Sequence, residues 1–354
     1  MKSRVLLGMS GGVDSSVAAA LLKDEGYDVV GLHFSLTGKE EDLTDVTLVA
    51  EKLNIPLVVR DFSKTFKCDV FDPFISSYKS GKTPNICVEC NKRIKFGELF
   101  LVADELGCDY IATGHYCEVI SLCGHFYLKK GNDSNKDQSY FLNGVTEEKL
   151  KRVIFPLSKL KKEEVRKIAE EKGLVTAHKK GSSDICVVGD RNFKDFLRDY
   201  IPPNPGKIVN ENDEVVGCHE GLFLYTLGQR KGLNLGGKKG EEGGRWFVVN
   251  KNPSKNELVV SHGKEDHLFT DTVLVEDFSF INGFESKKSF RCTAKTRYRE
   301  QDTPAMVFVE KGKLKVVFDK PKRAVTPGQY CVLYRLGGEL DGTVIGGGKI
   351  KTPE

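Results

Sequence analysis

The sequence predicts an α/β catalytic domain on a doubly wound, mainly parallel sheet, followed by a small β-rich central domain and a C-terminal β-barrel. Three observations carry this. From Val5 to Thr113, short apolar runs alternate with amphipathic stretches, the pattern of a parallel sheet clad in helices. The stretch Ile201-Pro202-Pro203-Asn204-Pro205-Gly206 then breaks the pattern, because its prolines cannot continue a helix. Beyond it come short strand-like runs separated by glycine-rich turns.

The first unit runs from Val5 to Leu32: an apolar strand, the turn Ser10-Gly11-Gly12, a helical run to Glu25, Gly26 as its stop, and a second strand at Val29. The glycines allow close approach of the backbone to a ligand, the helix start offers unpaired N–H groups to an anion, and Ser10, Ser15 and Ser16 add hydroxyls. A phosphate is expected there. The turn has neither the Gly-Lys-Ser/Thr of a Walker loop nor the Gly-x-Gly-x-x-Gly of a dinucleotide site. An ordinary glycine-rich turn, with Asp14 favoured by the helix dipole, is the bland alternative. Ser-Gly-Gly-Val-Asp-Ser-Ser after a strand resembles the PP-loop of ATP pyrophosphatases. That implies cleavage of ATP to AMP and pyrophosphate, with Asp14 helping to hold Mg2+.

Next are expected a helix over Asp42 to Leu53, a strand over Ile55 to Val59, a helix over Asn91 to Leu106 and a strand over Asp109 to Thr113. The loops after Leu7, Leu32, Val59 and Thr113 would share the rim where such sheets bind ligands. Gly114 would permit close approach to the nucleotide, and His115 would follow it on the same rim. Val119 to Leu128 reads as a hairpin and Lys161 to Lys172 as a charged helix closed by Gly173. Further strands are expected at Lys207 to Val209, Leu222 to Thr226, Trp246 to Val249 and Leu258 to Val260. A barrel of about six strands follows from Thr272 onward, through Ser289 to Thr296, Ala305 to Glu310, Leu314 to Phe318, Gln329 to Tyr334 and Val344 to Ile350. The domain bounds are 1–203, 204–268 and 269–354, with order throughout except at Gly236 to Gly244 and Thr352 to Glu354.

A chain of 354 residues is too long for one ordinary domain, and 39% hydrophobic with 29% charged residues fits a soluble globular protein. No run reaches the roughly 18 apolar residues of a membrane span, and Val5 follows the start too closely for a signal peptide. A cytoplasmic protein with no membrane partner is expected. The net charge of +4 does not demand a polyanion partner, and the runs Lys159 to Lys162, Lys179-Lys180, Lys238-Lys239, Arg297 to Arg299 and Lys320 to Arg323 read first as solvated surface.

Ten cysteines in a reducing compartment are not a structural disulfide set, and Cys87 and Cys90 have the spacing of a metal or redox pair. Cys90 would precede a helix capped by Asn91, and Lys92 and Arg93 would favour its thiolate. Cys186 lies far along the chain but in the same domain. Cys87 also reads as a small buried hydrophobe. His33 reads as structural, and His178, His219, His262 and His267 lack metal spacing. Tyr140, Phe141 and Trp246 read as core, whereas Tyr298, between Arg297 and Arg299, suits a base-and-phosphate surface.

Gly114-His115-Tyr116, Lys136 to Leu142, Gly81 to Phe96, Gly181 to Arg191, Gly228 to Gly232 and Lys295 to Arg299 together are similar to the bacterial tRNA-specific 2-thiouridylase family, over essentially the whole chain. That family places sulfur on C2 of wobble uridine 34. The resemblance implies that Gly8, Met9, Ser10, Gly11, Gly12, Val13, Asp14, Ser15, Phe34 and Gly114 hold ATP. It implies that Cys90 is the nucleophile and that Cys186 carries the persulfide sulfur. Asn85, Ile86 and Cys87 would lie beside the target base, and His115, Lys136, Asp137, Gln138, Arg297, Tyr298 and Gln329 would contact tRNA. The partners implied are the Lys, Glu and Gln acceptor tRNAs and a sulfur-donor protein or free sulfide.

One departure stands out. Asn85-Ile86-Cys87 replaces the family's usual Asn-Pro-Asp, so a thiol stands where a carboxylate is expected. Cys87, Cys90 and Cys186 would suit three irons of a [4Fe-4S] cluster, as in other tRNA thiolases. A persulfide route and a cluster route therefore both stay open after adenylation. A small-molecule amide-forming synthetase and a non-catalytic RNA-binding protein are the rival readings. The first leaves the cysteine pair and both β modules unexplained, and the second leaves an intact Ser10 to Ser16 without a use.

Overall fold

The structure is a computed structural model that describes residues 2–38, 42–179, 185–189, 191–236, 244–282, 288–310 and 312–351. The expectations placed on Lys238-Lys239, on 237–243, on Gly181 to Asp184 and on Thr352 to Glu354 lie outside these residues.

The first sheet has the order β3-β2-β1-β4-β7 and is parallel throughout. Its strands are β1 (Arg4–Gly8), β2 (Asp28–Ser35), β3 (Leu57–Asp61), β4 (Tyr110–Ala112) and β7 (Val153–Ile154). Val5, Leu6 and Leu7 are fully buried on both faces of the central strand, as a helix-clad parallel sheet requires. Between β1 and β2 runs α1 (Val13–Asp24), rich in alanine and leucine. Gly26, at φ +87°, turns the chain as its amide donates to the Lys23 carbonyl. The helix α2 (Thr44–Lys52) follows β2, and β5 (Cys117–Leu122) with β6 (His125–Lys130) forms the expected hairpin.

The region 63–105 is more helical than expected. It holds α3 (Ser63–Phe66), a π-helical turn over Lys67–Phe71, and α4 (Asp72–Lys79). Then α5 (Ile86–Cys90) passes into a π-helical stretch, Asn91–Glu98, and into α6 (Leu99–Glu105). Helix therefore begins at Ile86 rather than Asn91, because the Asn85 side chain caps it by accepting the Val88 N–H at 3.3 Å. Later come α7 (Glu147–Leu150), α8 (Lys162–Glu171), closed by Gly173, and α9 (Phe193–Arg198).

The second sheet has the order β10-β11-β8-β9, from β8 (Gly206–Val209), β9 (Val215–His219), β10 (Trp246–Asn252) and β11 (Glu257–His262). Leu222–Leu224 is a 3-10 turn, not a strand. Its three apolar side chains bury together against the cluster that contains Cys90, which a strand's alternation would forbid.

The third module is a closed six-stranded barrel ordered β12-β15-β14-β13-β16-β17. These strands are β12 (Phe269–Phe280), β13 (Ser289–Lys295), β14 (Thr303–Glu310), β15 (Lys313–Arg323), β16 (Tyr330–Tyr334) and β17 (Val344–Ile350). Closure leaves no open edge, and alternating residues such as Cys292, Ala294, Val316, Cys331 and Leu333 fill the interior. The opposite face of β16, through Tyr330, Val332 and Tyr334, packs into the same core as Leu6 and Phe96 of the first domain. Among the described residues no helix is long and apolar enough to cross a membrane.

Candidate active site

The glycine turn is built by short-range bonds. The Ser10 amide donates to Ser15 Oγ at 3.2 Å, and Ser15 Oγ and Ser16 Oγ donate to the Gly12 carbonyl at 3.1 and 2.9 Å. Gly11 sits at φ +70°, and Gly12 caps α1 from an extended conformation with no side-chain bond, so the first amides of α1 point into the turn. Asp14 Oδ1 accepts from Tyr116 Oη at 2.7 Å and from Lys162 Nζ at 2.5 Å. Lys179 Nζ donates to the Gly11 carbonyl at 3.2 Å and to Asp45 Oδ2 at 2.5 Å.

Lys162 and Lys179 come from runs expected to be solvated surface. Lys162 is instead mostly buried, and burial holds its ammonium below the usual lysine range despite Asp14 beside it. The turn thus lacks a lysine of its own and receives two from about 150 residues away. An added Cβ at Gly114 would lie 3.0 Å from the Asp14 carbonyl carbon and the Ser15 nitrogen. The tight approach that Gly114 permits is therefore to the start of α1. Phe34 stands over the end of β1, its ring 3.2 Å from where a Gly8 Cβ would lie and 5.6 Å from the Phe62 ring. It packs on both the sheet core and the Cys90 cluster, so it joins the glycine turn to the cysteines. His33 Nδ1 lies 3.0 Å from the Met9 carbonyl, a structural place.

Cys87 and Cys90 stand one turn apart on α5, with Cys90 buried and Cys87 half-buried, while Cys186 is exposed on the adjoining loop. Ile185, Val187 and Val188 bring that loop onto the apolar cluster of Cys90. Cysteines 96 residues apart in the chain are thereby neighbours, close enough that Cys186 raises the pKa of both Cys87 and Cys90. The thiolate expectation for Cys90 is corrected. Burial pushes Cys90 up to about 12 and Cys87 up to about 11, and only Lys95 among the named charges pulls them down. The reason is that Cys90 ends α5 rather than starting a helix, and Asn91 is buried inside the continuing turn. Among the described residues no group of three or more His, Cys, Asp or Glu side chains is arranged to hold a metal ion, so the three thiols do not fit a cluster in this arrangement.

Several expected tRNA contacts are committed to the fold. His115 is buried, with Thr113 Oγ1 2.8 Å from Nδ1 and the Phe96 and Phe155 rings about it; burial, then Lys95, lowers its pKa well below normal. A neutral, enclosed ring offers RNA no surface. Asp137 is buried, accepting from the Gly131 amide at 3.3 Å and from Ser139 N and Oγ at 3.1 and 3.0 Å. Gln138 Oε1 accepts the Tyr116 amide at 3.0 Å, and Lys136 is half-buried at the same loop. Arg297 donates to the Leu227 and Ala324 carbonyls and to Thr326 Oγ1, tying the barrel to the second module. Tyr298 lies against Phe141, centroids 4.3 Å apart, rather than standing free between arginines. Gln329 Nε2 donates to the Thr83 carbonyl at 2.8 Å, ahead of α5.

Elsewhere, a cavity of about 490 Å³ opens between the second sheet and the barrel, lined by Arg230, Arg245, Arg323, Phe247 and Glu265. It is separate from the cysteines. Glu265 pairs with Arg323 at 2.8 Å, and among the described residues Arg230 and Arg245 pair with no carboxylate.

Residues 3–190 match the family described as "tRNA methyl transferase HUP domain", 194–262 "tRNA methyl transferase PRC-barrel domain" and 270–350 "Aminomethyltransferase beta-barrel domain". The tRNA-specific 2-thiouridylase MnmA of Listeria innocua serovar 6a is 46% identical over 361 residues, covering 99% of this chain and 95% of that protein. The tRNA-specific 2-thiouridylase MnmA 1 of Geobacillus kaustophilus is 47% identical over 344 residues, covering 94% and 92%. Among solved structures, a 4-thiouridine synthetase in complex with RNA and ATP aligns with 56% of this chain and 49% of that one at 21% identity and a TM-score of 0.35, a partial likeness from which no activity follows.

Proposed function

The chain belongs to the tRNA-specific 2-thiouridylase family, and from that premise we propose how its own residues divide the reaction. The enzyme converts uridine 34 of tRNA to 2-thiouridine at the expense of ATP. The words "methyl transferase" in two of the family descriptions do not fit the site, whose chemistry-bearing groups are a phosphate turn and converging thiols.

In the first half-reaction the uridine O2 attacks the α-phosphorus of ATP, the bond to the β-phosphate breaks, and pyrophosphate leaves. The amides at the start of α1, with Ser10, Ser15 and Ser16, cradle the phosphates, and Lys162 and Lys179 offset the charge that accumulates. Phe34 packs on adenine. Asp14, freed from Lys162 as that lysine turns to phosphate, is a carboxylate at the turn that would help to hold Mg2+. Magnesium would supply neutralisation of the departing pyrophosphate.

In the second half-reaction sulfur displaces AMP at C2. Cys186, on the exposed loop, takes the sulfane sulfur from a donor protein as a persulfide. The terminal sulfur attacks C2, the C2–O2 bond breaks, and AMP leaves with the electron pair. Cys90, deprotonated with the help of Lys95, then attacks Cys186 Sγ; the S–S pair goes to the sulfur on C2, leaving 2-thiouridine and a Cys90–Cys186 disulfide for a thiol reductant. Cys87 lines the pocket beside the base. The persulfide reading is preferred because Cys90 and Cys186 are neighbours whereas the trio forms no ligand set. The same neighbourhood, beside Phe34 and the glycine turn, is the observation that carries the function. A tRNA substrate supports a cytoplasmic location.

Nucleoside mass spectrometry tests this. Incubation of the Lys, Glu or Gln acceptor tRNA with ATP, magnesium and a persulfide donor should yield 2-thiouridine and AMP. Cys90→Ser should abolish 2-thiouridine while a single turnover of tRNA-dependent AMP release persists. Normal thiolation by that variant would overturn the assignment of Cys90.

A further inference from the structure

We infer that Glu89 is a positioning residue for sulfur transfer, hanging the cysteine helix on the C-terminal barrel. Glu89 lies between Cys87 and Cys90, with a mostly buried side chain. Its Oε1 accepts from Tyr330 Oη at 2.6 Å and from Lys349 Nζ at 3.1 Å, and its Oε2 accepts from Arg93 Nε at 3.3 Å. Tyr330 and Lys349 face each other across β16 and β17, so both barrel donors come from a single rung.

That rung is itself fixed. The Tyr330 carbonyl accepts from Tyr140 Oη at 2.9 Å. Burial alone would push the Glu89 carboxyl up, but the bonds from Tyr330, Lys349 and Arg93 and the Lys349 charge outweigh it and hold the group below the usual range. The carboxylate is therefore kept charged while enclosed, the condition under which its partners matter most.

The segment before α5 is held from the same side. The Thr83 amide donates to the Pro327 carbonyl at 3.1 Å, Gln329 Nε2 donates to the Thr83 carbonyl, and Lys251 Nζ of the second sheet donates to the Gly81 carbonyl at 3.0 Å. Gly328, at φ +89°, has Thr83 backbone 3.3 Å from its missing Cβ, so the two loops touch main chain to main chain. Five residues of α-helix leading into a π-turn cannot set their own rotation. Glu89 sets it, and with it the aim of the two thiols beside Cys186.

The inference rests on the proposed sulfur transfer, and its test separates the two. The full chain with tRNA, ATP and persulfide donor is assayed for 2-thiouridine, for AMP and, without substrates, for alkylation of Cys90 at pH 8. Glu89→Ala should lower kcat for thiolation by about 10- to 100-fold with KM for tRNA and the first-turnover burst of AMP little changed. Cys90 should alkylate faster as the helix loosens, and Glu89→Gln, which keeps an acceptor for Tyr330, should recover part of the loss. Tyr330→Phe, which deletes one oxygen, carries the same test should Glu89→Ala not fold. Wild-type kcat and alkylation in both Glu89→Ala and Tyr330→Phe would overturn the inference, as would loss of the first-turnover AMP burst along with thiolation. A wild-type enzyme that makes no 2-thiouridine would instead overturn the proposed function, while the alkylation difference would still report on Glu89.

Discussion

Apart from Lys179 Nζ on the Gly11 carbonyl, the main chain of residues 10–16 is held by bonds spanning at most five positions, whereas the segment 81–90 is held by groups as far as 246 positions away. The first region is shaped largely by its own sequence: glycine where φ is positive and serine where a carbonyl needs a donor. The second is too short and too irregular to hold itself and borrows its shape from two β modules. A site assembled this way separates the nucleotide chemistry, which the first domain can organise, from the sulfur chemistry, which needs the whole chain.

Breaking the self-organised region should produce the larger effect. Asp14→Ala should cut tRNA-dependent AMP release at least about 100-fold, because the group that suits the metal and receives Lys162 is gone. Lys162→Gln should cost about 10-fold or more in the same assay, with the loss in ATP affinity as well as in rate. Neither should alter alkylation of Cys186. An Asp14→Ala enzyme that released AMP normally would remove the nucleotide half of the comparison.

The thiols sharpen it next. Cys186 is exposed, whereas burial raises Cys87 to about 11 and Cys90 to about 12. Only thiolates alkylate readily, so in the resting enzyme Cys186 should label first at pH 8, and Cys90 should gain reactivity only as pH climbs toward its raised value. Mass spectrometry of alkylated peptides across pH 7 to 10 reads this directly. Rapid labelling of Cys90 at pH 7 would show a thiol activated without substrate.

The contrast also explains what the sequence made legible. The parallel sheet, the six-stranded barrel, the hairpin and the glycine turn follow from local period and turn chemistry, and the structure has all four. What was missed depends on distant partners. Asn91 looks like a cap when Asn85, six positions earlier, already caps a helix no periodicity reveals. Lys162 reads as one cation among three until the fold lays it on Asp14. His115 and Asp137 stand in motifs at the rim but are consumed by the loops they build. Glu89 carries no motif at all: its role exists only because β16 and β17 arrive with a donor each.

The anchor at Gly81 gives a pH-dependent test. Burial lowers the Lys251 pKa to about 8. The unfolded chain holds that proton to higher pH, near the ordinary lysine value of about 10.4. Below pH 8 the folded state therefore bears the cost of a buried charge; as pH rises from about 8 to 10 the folded lysine releases its proton first and the cost fades. Lys251→Met should stabilise the protein by about 1–3 kcal/mol at pH 7, with the gain shrinking toward pH 10. Denaturant unfolding at both pH values measures it. Thiolation by this variant should fall slightly even as stability rises, because the Gly81 carbonyl loses its donor; a variant less stable at pH 7 would mean that this bond outweighs the desolvation of the ammonium.

The smallest effect is expected where neither region is touched. Arg230 and Arg245 line the cavity between the second sheet and the barrel, and Arg323, their neighbour, is already paired with Glu265. A concavity with two guanidiniums that pair with no carboxylate among the described residues suits phosphates of a long RNA, which need charge but no particular base. Removing both, as Arg230→Ala with Arg245→Ala, should weaken tRNA binding and lower the slope of log affinity against log salt by about 1 to 2, one released counterion for each lost contact. Both half-reactions should then fall in proportion at limiting tRNA and recover at saturation. Loss of AMP release or thiolation that persisted at saturating tRNA would place these arginines in the chemistry, and the division between a self-organised turn and a borrowed helix would need a third member.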